Sequence, residues 1–87
     1  MIRTKTDDEL IQQYIVEDPY HPGPADVRVS DYYIHVWALA EELRCAEFDL
    51  ERVAGNHNVP ADYVRAAMAY YRRYQQIIDG RIAANYV

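Results

Sequence analysis

Cysteine, glycine and phenylalanine are scarce in this chain of 87 residues, and each scarcity removes an option. The single cysteine, Cys45, excludes an internal disulfide and suits a reducing compartment. The three glycines, Gly23, Gly55 and Gly80, lie too far apart to form a glycine-rich phosphate loop. No apolar run approaches the roughly 20 residues that a membrane-crossing helix needs. The charged opening MIRTKTDDELIQQY has no apolar stretch of the kind an export signal carries. A cytoplasmic protein is expected, with no membrane contact. Internal repeats and low-complexity segments are also missing. What is present, 51% hydrophobic and 26% charged residues, is globular composition. The length supports one core, with a radius of gyration of about 12 Å. A core this small is marginal, so a partner surface is expected, and a homodimer is the simplest form of it.

The formal charge is −5, unevenly placed. Residues 1–31 carry three basic against seven acidic side chains, a net of −4. From Tyr63 onward Arg65, Arg72, Arg73 and Arg81 face only Asp79, a net of +3. The basic footprint of a whole nucleic-acid-binding domain is absent, but a local basic segment could meet phosphate.

Hydrophobic periodicity predicts a short helix over 7–16, capped by Thr6 or Asp7, with Leu10, Ile11, Tyr14 and Ile15 at helical spacing. The following EDPYHPGPAD, with three prolines and a glycine over 19–24, must be irregular. Val27–Val29 and Tyr33–Val36 are β-prone and predict a small hairpin or a single pairing. A helix then places Val36, Leu39, Ala40 and Leu43 on one face, with Glu41, Glu42 and Arg44 opposite. Asp49 can cap a second helix that turns Leu50, Val53 and Ala54 inward, and Gly55-Asn56-His57-Asn58 supplies turn chemistry. Pro60 suits the first position of a long third helix, along which Val64, Ala67, Met68, Tyr71, Gln75 and Ile78 form a stripe. Gly80 is expected to end or weaken that helix. The chain thus divides into an N-terminal helix and Pro-rich connection (1–26), a helical domain (27–80) and a tail (81–87). The last two helices of that domain have helix-turn-helix spacing, with Pro60–Tyr70 in the place of a recognition helix. An ordinary three-helix bundle has the same pattern.

Catalytic constellations are hard to find. His21, His35 and His57 fall on loop, strand and turn, and Cys45 has no CxxC partner and reads as a small core residue. The carboxylates Asp7-Asp8-Glu9 and Glu41-Glu42 read as solvated helix charges. An enzyme is therefore the weakest class, and no metal site or cofactor is expected. The unusual number is nine tyrosines against one phenylalanine. Tyr and Arg are enriched at interaction surfaces because each covers a large area and keeps a polar tip. Tyr70, Tyr74, Ile78, Ile82 and Tyr86 are the expected partner-binding residues. Arg65, Arg72 and Arg73, with Asn56, His57 and Asn58 in the turn, are the expected DNA contacts. The competing reading makes the arginines solvated charges, or partners of Glu47, Glu51 and Asp79. Trp37 is expected in the core, against Val64 and Met68.

The segment IHVWALAEEL…FDLERVAGNHNVPADYVRAAMAYY resembles the bacterial family called domain of unknown function four-three-three. Ile34-His35-Val36-Trp37 is similar to that family's strand-to-helix element, and Asp49-Leu50-Glu51-Arg52-Val53 to its second helix. Ala61 to Tyr71 is similar to its third. The likeness covers residues 27–71. The family's glycine-threonine before the strand is replaced here by Ser30-Asp31-Tyr32-Tyr33. The resemblance implies a mainly α fold: a small three-helix, homeodomain-like helix-turn-helix bundle with a short N-terminal β element. It also implies a role like that of VapB-type antitoxins, which pair with a PIN-like ribonuclease toxin and can bind double-stranded promoter DNA. The alternative is a protein-interaction or dimerisation adaptor without DNA contact.

Overall fold

The computed structural model of the chain describes residues 4–86. Helix α1 (Asp7–Tyr14) begins at a capping box. The Thr6 side chain accepts from the Glu9 backbone, and the Glu9 carboxylate accepts from the Thr6 backbone. This helix stops two residues earlier than its periodicity suggests, because Ile15 turns extended and opens strand β1 (Ile15–Val16). Ile15 and Val16 are β-branched, and they pair antiparallel with Val29 and Arg28 of strand β2 (Arg28–Val29). The expected pairing of Val27–Val29 with Tyr33–Val36 survives as one bridge, Arg28 to His35. The intervening turn is tight, and Asp31 and Tyr33 take φ of 66° and 55° to close it.

Helix α2 (Val36–Cys45) buries Val36, Leu39, Ala40 and Leu43, the face expected from the sequence. Helix α3 (Leu50–His57) is capped by Asp49, whose side chain accepts from the Arg52 backbone at 3.1 Å. Gly55, Asn56 and His57 are its last turn instead of a loop. The turn proper is Asn58-Val59-Pro60, and Asn58 closes α3 in the left-handed region at φ 54°. Asparagine tolerates that conformation, so Asn58 can close the helix although the chain has already run past Gly55. Pro60 is the cap of helix α4 (Ala61–Arg73), one position earlier than expected.

The long third helix is two helices. Tyr74, at φ −121° and ψ 40°, breaks it between α4 and helix α5 (Gln75–Ala84). Gly80 does not end α5, and the expected tail is helical to Ala84. A glycine inside a helix costs about 1 kcal/mol relative to alanine. Here Ile78 and Ile82, both buried, anchor the helix on either side of it. Among the described residues the architecture is mainly α, with five helices and a short two-strand sheet in place of the expected three helices.

Helix α4 is the centre. It buries Val64, Ala66, Ala67, Ala69, Tyr70 and Tyr71, and it contacts α1, α2, α3 and α5. Its alanines let neighbouring helices approach closely, which explains an alanine-rich run in the most enclosed element. The radius of gyration is 12.3 Å. Trp37 sits at the core's edge, half-buried; its ring stacks on His35 at 5.6 Å and lies under the Arg81 guanidinium at 4.8 Å. Cys45, expected inside, is exposed at the end of α2.

Candidate functional site

The loop between the two strands is fixed by one carboxylate. Asp18 is fully buried and accepts from the backbone N–H of Tyr20 and His21, from Arg28 Nε at 2.9 Å and from His35 Nε2 at 3.1 Å. The Tyr20 backbone bond, with those from Arg28, His35 and His21, outweighs desolvation and holds this carboxyl well below the usual range. The Tyr70 hydroxyl donates to the Pro24 carbonyl at 2.8 Å, and Arg81 pairs with Asp26 at 2.9 Å. Three polar clasps thus tie a proline-rich connection to the helical body. The bonds of these groups hold the loop to the body, so this cluster is architectural.

The residues proposed for DNA contact fall in two places. Asn56 and His57 lie on the last turn of α3, and both donate to Glu42 on α2, at 3.1 Å and 2.5 Å. Burial pushes the Glu42 carboxyl up, but the bonds from His57 and Asn56 prevail and leave it lowered. Asn58 caps α3 in the left-handed conformation. Arg72 and Arg73 lie at the far end of α4, about 18 Å along the axis from that turn. The structure does not gather the six residues into one surface.

Each of the three arginines meets a carboxylate of its own chain. Arg65 pairs with Asp62 one turn back, at 2.9 Å. Arg72 Nη2 donates to both oxygens of Asp7, at 3.0 and 3.2 Å. Arg73 reaches Asp8 at 2.5 Å. The partners are therefore Asp62, Asp7 and Asp8. Of the carboxylates named beforehand, Asp79 instead faces Arg44 at 3.5 Å and accepts from the Tyr71 hydroxyl at 2.7 Å. Lys5 joins the same side: it donates to Gln13 and Tyr14, lies 4.9 Å from the Tyr14 ring centre and 3.9 Å from Asp62. The bond with Tyr14 is the main cause of its raised pKa. The Tyr14, Tyr63 and Tyr32 rings continue this side as a row, tilted at 4.6 Å and then edge-on at 4.9 Å. A hydrogen bond to Asp31, with burial, raises the Tyr63 hydroxyl to about 12.

Asp7 and Asp8 are the residues that sequence reasoning missed. Read locally they are first-turn acids that complement the helix dipole. Their partners lie 65 residues away in sequence, and no local spacing shows them. The opposite charges of the two chain ends were the available signal.

The expected partner surface is mostly internal. Tyr70, Ile78 and Ile82 are buried, because the tyrosine stripe of α4 turns into the core with its hydroxyl satisfied by Pro24. Burial raises the Tyr70 hydroxyl to about 12. Tyr74, tilted against the Tyr70 ring at 4.6 Å, and Tyr86, bonded to Glu41, stay exposed. Ile77, Phe48, Tyr20, Tyr32 and Tyr33 are exposed as well. Among the described residues no group of three or more His, Cys, Asp or Glu side chains could hold a metal ion, and no helix is long and apolar enough to cross a membrane.

Comparison of the chain with protein-family models, curated proteins and solved structures finds no match. The likeness to the four-three-three family rests on the quoted residues alone.

Proposed function

We propose that this is a non-enzymatic, protein-binding regulator of the antitoxin type, acting in the cytoplasm on a PIN-like ribonuclease. The observation that carries the protein-binding part is the surface itself. Six exposed aromatic side chains, with Ile77 and Val16, would be ordinary singly, but here Tyr74 and Ile77 stand one turn apart across the α4–α5 break, beside exposed Arg73. A net charge of −5 suits a basic partner. The antitoxin role comes from the resemblance. The neighbouring gene product is expected to be a PIN-like ribonuclease, which on co-expression with this chain should give a complex that co-purifies, and Ile77→Glu with Tyr74→Ala should disperse it. No complex with that ribonuclease would overturn the reading.

The regulator is proposed to be a homodimer through the same exposed side chains. Light scattering that gives the 10.2 kDa species at high concentration would reject this. DNA contact is a second reading, and the three-residue turn between α3 and α4 is what favours it. Promoter affinity at low salt tests it.

A further inference from the structure

A basic strip runs along the exposed side of α4 at its C-terminal end, and the first turn of α1 lies across it. Arg72 and Arg73 are adjacent, both exposed, and both project from the last turn of the helix. A phosphodiester backbone offers anionic oxygens to such guanidinium groups. In this protein those positions are already taken: Asp7 presents both carboxylate oxygens to one Arg72 nitrogen, and Asp8 presents one to Arg73. The pairing in register, 7 with 72 and 8 with 73, follows from α1 packing along α4. Leu10, the one buried residue of α1, together with Tyr14 bonded to Asp62, fixes that packing.

We propose that the first turn of α1 is a built-in competitor for nucleic-acid phosphate, so that Arg72 and Arg73 form a duplex-backbone contact that Asp7 and Asp8 hold closed. This inference rests on the DNA reading and not on the ribonuclease partner. The competitor is poised, not permanent. Exposed ion pairs are each worth about 0–1 kcal/mol and weaken with salt, so anything that draws Asp7 and Asp8 away opens the strip. The apolar contact of Leu10 keeps α1 folded in place meanwhile. The arrangement also accounts for a +3 C-terminal segment in an acidic chain: the basic charge is retained but matched, at two of its four arginines, by the acidic end.

The test is duplex binding by fluorescence anisotropy, using a labelled 30-base-pair DNA and full-length protein at low salt. Asp7→Asn with Asp8→Asn is expected to bind about two- to fivefold more tightly than the parent. Its salt slope should be steeper by about two units, one for each phosphate gained. Adding Arg72→Gln and Arg73→Gln should return both affinity and slope to the parent's. Glu47→Gln with Glu51→Gln changes the net charge equally at exposed positions outside the Asp7–Arg72 and Asp8–Arg73 pairs, and is expected to leave binding as in the parent. Thermal melts of all four proteins establish that they are folded. If the Glu47/Glu51 variant gains as much as the Asp7/Asp8 variant, general charge explains the gain and the competitor is refuted. If parent and Asp7/Asp8 variant bind equally, the competitor is refuted while DNA contact stands. If neither binds at low salt, DNA contact falls with it.

Discussion

The two ends of the chain are attached to the helical body by different physics. Helix α5 carries two buried isoleucines, Ile78 and Ile82, and has no acidic residue in its first turn. Helix α1 has one buried residue, Leu10, and is rimmed by ion pairs from Asp7, Asp8 and Lys5, with the Asp18 clasp just beyond it. Apolar burial does not depend on charge screening, whereas exposed ion pairs are weakened by salt. The difference teaches that the C-terminal helix belongs to the core, while the N-terminal arm is held by contacts that conditions can loosen.

The largest effect is expected from Ile78→Ala, which empties a fully buried position between α5, α2 and α4. It should cost about 2–5 kcal/mol, a large share of the stability of so small a domain. Urea unfolding should show a lower midpoint at unchanged slope. A loss below about 1 kcal/mol would erase the contrast between the two ends.

Acid should act next, and on the N-terminal arm. Asp18 has a lowered folded pKa, so its contribution is full above the ordinary value of 3.8 and drains away as pH falls below it. The melting temperature of the parent should therefore drop as pH is lowered from about 5 to about 3. Asp18→Asn should melt lower at neutral pH and show a flatter acid dependence over the same range. Equal slopes in the two proteins would remove Asp18 as the acid-sensitive clasp.

Leu10→Ala sharpens the comparison more finely. It should cost about 2 kcal/mol, the low end for a buried leucine, because α1 can settle onto its polar rim. Amide exchange in 7–14 should quicken while α2 and α4 keep their protection. Exchange that quickens everywhere together would place α1 in the same cooperative unit as α5.

The smallest effect belongs to the ion pairs. Asp7→Asn with Asp8→Asn should change stability by less than about 1 kcal/mol, and the change should vanish in 1 M salt. A larger, salt-independent loss would mean that the arm is held by these carboxylates and not by Leu10.

Much of the core was legible because it is periodic. Val36, Leu39, Ala40 and Leu43 repeat at helical spacing, and they are buried as that spacing demands. Asp49 also announced itself as a cap, and Val27–Val29 contains strand β2, whereas its partner Ile15–Val16 read as helix. Helix ends were harder. Gly55 and Gly80 read as breakers, but both sit in helices that neighbouring buried residues hold together, and the break at Tyr74 has neither glycine nor proline to mark it. The candidate site was least legible. Arg72 and Arg73 were visible as basic residues, yet what they touch depends on how α1 packs, a contact across most of the chain. The tyrosines misled for a related reason: Tyr70 is amphipathic, and only the position of Pro24 decides that its polar tip is satisfied inside.

Trp37 is the only indole of the chain. It stands where three segments meet: stacked on His35, which bonds Asp18 of the loop, and covered by Arg81 of α5, which bonds Asp26. Its fluorescence is therefore a natural optical gauge of that junction. Emission-monitored and circular-dichroism-monitored melts will coincide if the junction opens with the helices, and will separate if it yields first. The molecule thus supplies, without any attached dye, a readout for whether its two chain ends let go together.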